Sequence, residues 1–190
     1  MKVCSYITLV GIVLVIACQP PATSVEPMTF AYDSLYRLEL PNNLYRAYDM
    51  HEYASLQYYD TLMGFYVLGI EDPKENLGEI KRKRLKQNSY YAFVEKTVFK
   101  HVDSIKQVSA EEYSVNPPFD ALVGDYYTSS RELGMEPVFY RIAVFENPDY
   151  YFQLVTWMPY DVHCEYIHWI DTMTQSFHFL EPEIPVAGIR

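Results

Sequence analysis

The chain of 190 residues is 49% apolar and 21% charged, the balance of a folded globular protein, and it is long enough to bury one substantial core. Its net charge of −10 excludes broad nucleic-acid binding, because a protein that holds phosphates needs a basic footprint to displace their counterions. The three cysteines, Cys4, Cys18 and Cys164, stand too far apart for a clustered metal site, and no C-x-x-C pair occurs.

At the N-terminus, Lys2 precedes an apolar run, Ile7–Ala17, broken only by Thr8 and Gly11. The run is short of the ~20 residues that a bilayer span needs and has the length of a signal-peptide core. It ends Val15-Ile16-Ala17-Cys18, which resembles a bacterial lipobox: branched apolar residues, a small residue that lets the peptidase reach the scissile bond, then the cysteine that is lipidated. Residues 1–17 are therefore expected to be a lipoprotein signal peptide and Cys18 the acylated, palmitate-bearing residue. On that reading Cys4 is discarded and Cys164 has no disulfide partner. Residues 18–29 read as a tether, since their three prolines and small polar side chains keep a chain extended and solvated. Gln19 is followed by prolines rather than aspartates, which points to an outer-membrane anchor facing the periplasm.

One domain is expected over residues 30–182. Phe30–Leu40 carries strand signals that stop at Pro41-Asn42-Asn43, a turn sequence. Leu44–Tyr53 reads as a short helix capped by Asn43 or as a loop. Ala54–Asp60 and Gly64–Glu71 read as strands, and the second is apolar on both faces, as in a central strand covered twice. Pro73–Gln87 then turns polar and contains Lys81, Arg82, Lys83, Arg84 and Lys86, five of the 15 basic residues. Tyr91, Val94, Val98, Val102 and Ile105 recur at helical spacing, which predicts a helix over about 88–106 with Asn88 or Ser89 as its cap.

Val108–Phe119 reads as a connection. Three strands follow, roughly Ala121–Glu132, Val138–Phe145 and Tyr150–Met158, joined by turns rich in Gly, Asn, Asp and Pro. Asp161 is placed to cap a closing helix to about Phe179, with Tyr166, Ile170, Met173 and Phe177 on one stripe that, with Trp157 on the preceding strand, seals the sheet. Glu181-Pro182 ends it, and 183–190 is expected to be a loose tail. The whole is an α+β domain, an antiparallel sheet of about six strands flanked by helices.

Leu38-Glu39-Leu40-Pro41, the paired segments ASLQYYD and GFYVLGIEDP, the central helix and the ending YYFQLVTWMP…IDTMTQSFHF resemble small Gram-negative lipoproteins of the PsbP-like fold. PsbP is an extrinsic photosystem subunit, and a nuclear-import factor that binds Ran shares its fold. The resemblance covers most of residues 30–180 and implies an α/β/α sandwich. It supplies no catalytic motif, and the bacterial members it points to are of unknown function.

His163, Cys164, Glu165 and His168 sit together, and Cys164 and His168 share a helix face, but two ligands fall short of a zinc site and no H-E-x-x-H is present. No nucleophile elbow, phosphate cradle or EF-hand loop occurs. What remains is the basic run, Lys81, Arg82, Lys83, Arg84 and Lys86, as a contact for anionic headgroups or an acidic partner, and 19 tyrosines, several in pairs. In a strand a pair places one ring on each face; the exposed rings would suit a recognition patch, but ordinary sheet packing is the favoured reading. The expectation is a non-enzymatic envelope lipoprotein that binds an unidentified envelope protein or supports an assembly, with a small-ligand or glycan-binding lipoprotein as the alternative. No cofactor, no metal and no nucleic-acid partner is expected.

Overall fold

The computed structural model describes residues 25–33, 35–77, 86–102, 104–115, 119–128 and 136–180. Two antiparallel sheets and two α-helices account for most of them. Pro27–Tyr32 (β1) and Tyr36–Pro41 (β2) form a hairpin where one strand was expected over 30–40. The chain reverses at Asp33, whose φ of 40° is tolerated by a short polar side chain that can bond locally. β1 also begins inside the stretch read as a tether. Residues 44–53 form a loop holding only the two-residue strand Tyr45–Arg46 (β3).

Leu56–Asp60 (β4) and Phe65–Pro73 (β5) pair as expected across a tight turn. The first helix, Gln87–Val98 (α1), is shorter than the periodicity predicted: Ile105 belongs to the strand Ile105–Val115 (β6), not to a helix. The segment read as a connection over 108–119 is mostly this strand. Its backbone pairs with Phe119–Thr128 (β7) in a long antiparallel ladder, and that non-local pairing overrides the local helical spacing. Val138–Glu146 (β8) and Tyr150–Pro159 (β9) complete the hairpins. After a single turn of 3-10 helix at Tyr160–Val162 comes His163–Ser176 (α2), and His178–Phe179 (β10) returns to pair with β2. Neither α-helix has a side-chain cap: the N-cap residues are Lys86 and Val162, not Asn88, Ser89 or Asp161.

The main sheet runs β3-β4-β5-β9-β8-β7-β6 and the small one β1-β2-β10. Alternation along the strands gives the main sheet two unlike faces. One face carries Phe65, Val67, Phe145, Phe152 and Leu154 and packs against α2 and the small sheet, where Tyr36, Leu38, Ile170, Met173 and Phe177 close the core. Burying each of these side chains contributes on the order of 1.5–3 kcal/mol, so this layer is the anchor of the fold. On the other face α1 sets Tyr90, Val94 and the adjoining Phe99 on Tyr126, Ile142, Val144 and Val155. α1 packs over β8 and β7. Twelve residues reach only ~18 Å, so the β4–β5–β9 half of this face is left open. β5 is therefore fully covered on one side only, and Tyr66 and Leu68 are half-buried. Trp157 lies on this open face rather than against the closing helix.

Candidate functional site

Strand register writes an aromatic row across the α1 face of the sheet, from its open half to the part beneath the helix. Tyr45 pairs with Tyr59, Tyr59 with Tyr66, Tyr66 with Trp157, Trp157 with Tyr140 and Tyr140 with Tyr126. Directly paired residues point to the same face, so six aromatic side chains from six strands stand in one line. Their rings lean on one another: Tyr66 and Trp157 stack at 5.1 Å and 8°, and Tyr140 and Trp157 at 6.5 Å and 18°. Stacking of this kind stabilises by ~0.5–1.5 kcal/mol per pair beyond burial. The next rows down the strands are aliphatic or polar, Leu68 with Val155 and Ile70 with Gln153.

A cleft of about 910 Å³ opens over this floor, within the ~300–1,000 Å³ typical of ligand sites. Leu68, Ile70, Val155, Trp157 and Tyr140 form the floor, and Phe93, Thr97 and Val98 of α1 form one wall with His101 just beyond its end. The opposite wall is the 47–54 loop, which brings His51 and Tyr53. Tyr53 is 71% exposed and Phe93 57%, so both rims present apolar surface to water.

One buried side chain holds that loop. Gln57 Oε1 accepts from the backbone N–H of Met50 at 2.9 Å and of His51 at 3.1 Å, while Nε2 donates to the carbonyls of His51 at 3.0 Å and Ala54 at 3.1 Å. All the amide's bonding capacity goes to the segment that walls the cleft. At the far end Asp72 accepts from the Tyr90 hydroxyl, and Gln153 Nε2 donates to that hydroxyl at 3.4 Å. Burial, then the neighbouring Asp72, push the Tyr90 phenol far above its ordinary pKa, so it stays a donor at every working pH. Asp72 makes no ion pair among the described residues. Lys74, two residues on, reaches Glu146 at 2.6 Å and lies 4.6 Å over the Tyr151 ring.

Of the sites expected from sequence, Cys18, Lys81, Arg82, Lys83 and Arg84 lie outside the described residues. Lys86 is exposed at the N-terminus of α1, away from the cleft lining. The His-Cys-Glu cluster is dispersed in role. The His163 ring stacks on Tyr160 at 4.6 Å, Glu165 is exposed, and His168 Nδ1 is buried with no hydrogen-bond partner among the described residues. Cys164 is disulfide-bonded, which corrects its reading as a cysteine without a disulfide partner. Among the described residues no three His, Cys, Asp or Glu side chains converge as metal ligands. The tyrosine pairs do split between layers: Tyr58 and Tyr126 are buried, and Tyr59 and Tyr127 half-buried on the opposite faces. Gln57, Asp72, Gln153 and Phe93 carried no signal as site residues, because nothing local marks which half of a sheet face a helix will leave open.

These layers, a seven-stranded antiparallel sheet between a helix on one face and a helix with a small sheet on the other, define an α/β/α sandwich. The chain has the PsbP-like fold. It is similar to cyanobacterial PsbP (CyanoP) from Synechocystis sp. PCC 6803, with a TM-score of 0.61 and 12% identity over 86% of this chain and 98% of that one. A Mog1 mutant gives a TM-score of 0.58 and 10% identity over 82% and 97%. LpqN, involved in cell envelope biogenesis of Mycobacterium tuberculosis, gives 0.53 and 9% over 84% and 87%. No protein-family model and no curated protein matches the chain. Among the described residues no helix is long and apolar enough to cross a membrane.

Proposed function

We propose that this protein is a non-catalytic cell-envelope lipoprotein, anchored through Cys18 in the outer membrane and facing the periplasm, that captures a small ligand in the cleft between α1 and the sheet. One observation carries the reading: an open, aromatic-lined cleft with three polar groups, Asp72, Gln153 and the Tyr90 hydroxyl, at one end. Such a combination of apolar walls and a few directional groups is what ligand sites have in common. The lipobox-like Val15-Ile16-Ala17-Cys18 supports the anchor, and the envelope role of LpqN, a protein of the same fold, supports the compartment.

A second reading, a protein-binding or scaffold module, is favoured by the exposed rings next to the cleft. Tyr45 and Tyr48 are exposed on the 45–53 segment, and the Arg46 guanidinium lies 5.1 Å from the Tyr48 ring centre. Tyr and Arg are the side chains that protein interfaces favour.

Native mass spectrometry of protein extracted from its own membranes tests the ligand reading. The wild type is expected to carry a small-molecule adduct that Leu68→Trp, which fills the floor, loses. A bare wild type, or an adduct undiminished in the variant, overturns it. The same spectra test the anchor, because a lipidated Cys18 has its sulfur in a thioether and in no other bond. A diacylglyceryl mass shift that disappears in Cys18→Ala supports acylation, and an unmodified mature chain rejects it.

A further inference from the structure

Among the described residues that line the cleft, Asp72 is the only carboxylate, and no Lys or Arg stands with it. Its sole donor among the described residues is the Tyr90 hydroxyl, on Oδ2, and the nearest lysine in sequence, Lys74, is engaged with Glu146 and the Tyr151 ring. Phe93, one turn along α1 from Tyr90, adds an exposed ring on the adjoining wall. From the Asp72–Tyr151 pair to the Tyr66–Trp157 pair the sheet runs six residues, ~20 Å at ~3.3 Å per residue, and apolar side chains line the way.

Resting on the ligand reading above, we propose that the cleft takes an elongated organic cation, an ammonium group on an apolar chain or ring system, with the ammonium at Asp72 and Phe93 and the apolar body over Leu68, Val155 and Trp157. A half-buried carboxylate favours a cation and repels an anion. An ammonium also gains from a nearby ring face. An aliphatic floor ending in stacked rings takes the rest of the molecule by burial alone. The size suits a small amphiphile, and a lysine presented by an apolar protein segment would use the same two features on a larger footprint.

The probes are decylamine, decanol and decanoate, equal in chain and different in head charge, each below its micellar concentration. Binding is read by titration calorimetry and by the change in tryptophan emission. Decylammonium is expected to bind about tenfold more tightly than decanol, one well-placed charge contact, and decanoate more weakly than either. In Asp72→Asn the amide oxygen still accepts from Tyr90, so the domain keeps its unfolding midpoint while the amine falls to within about twofold of the alcohol. In the wild type, added salt should weaken the amine and leave decanol unchanged. Decanoate binding as tightly as the amine, or an amine preference that survives both Asp72→Asn and high salt, overturns the assignment. Equal binding of all three keeps the cleft as a ligand site and rejects the cation. Failure of all three rejects both, and an amine effect seen only with a lysine-bearing apolar peptide moves the site to the protein-partner class.

Discussion

At the residue scale, Gln57 does for the cleft what a turn sequence does elsewhere. The 47–54 loop has almost no ladder of its own, and four backbone groups are satisfied by one side-chain amide. Gln57→Leu keeps the size but leaves those groups to water or to nothing. It is expected to cost about 2 kcal/mol, in the range of one or two unsatisfied buried partners, and to abolish protection of the His51 amide in hydrogen exchange. An unchanged exchange pattern would show that the loop holds itself. Glu71 offers a signed pH effect. Burial, partly offset by its hydrogen bond from Ser55, raises its pKa above the ordinary 4.5, and the charges of Asp72 and Asp33 add to the rise. The charged form is thus the disfavoured one in the folded state, and its penalty is absent below the unfolded pKa and present once pH passes the folded one. Glu71→Gln should therefore raise the melting temperature at pH 7, with the gain shrinking to nothing below about pH 4.5. A gain that grew on acidification would reverse the sign.

At the element scale, α1 is positioned by close approach rather than by a cap. Its Tyr90 ring stacks on Tyr151 at 4.2 Å and 8°, and Tyr91 Oη lies 2.7 Å from Tyr126 Oη. The second contact exists because residue 124 of β7 is glycine: a Cβ there would lie 2.1 Å from the Tyr91 hydroxyl and 2.9 Å from that of Tyr126. Gly124→Ala is expected to push α1 off the sheet at a cost of about 1–3 kcal/mol, and to lower ligand affinity more than Gly→Ala at a site remote from the cleft. Urea unfolding and the decylamine titration measure the two effects. The helix itself was only half legible. Tyr91, Val94 and Val98 gave its period, but Val102 and Ile105 continue that period into a turn and a strand. Spacing cannot separate a helix from a strand that happens to begin in phase, and the ladder with β7 decides it.

At the scale of the molecule, the two sides of the sheet are unequal. Among the described residues the α2 side buries 21 apolar residues in one cluster and the α1 side eight. Opening free energy follows buried contact, so the layers should not open together. α1 amides are expected to exchange through a partial opening well below the global unfolding free energy, while β9 and α2 exchange only with it. Identical protection in α1 and α2 would mean that the domain opens as one unit. A low-stability layer beside the cleft also gives the site a wall that can adjust to a bound molecule.

The sequence by itself determined the strands β4, β5, β8 and β9, the closing helix with Tyr166, Ile170 and Met173 inward, and the two-layered fate of the tyrosine pairs. These are set by alternation, helical spacing and turn residues, which act within a few positions of the chain. Only the tertiary structure decided that 30–40 is a hairpin, that 105–115 is a strand, that Trp157 faces away from the closing helix, and that Gln57 and Asp72 belong to a cleft. Each depends on which segment, distant in sequence, comes to lie alongside. A cleft is the part of a face that nothing covers, and coverage is settled by the length and placement of α1, not by the residues it leaves exposed.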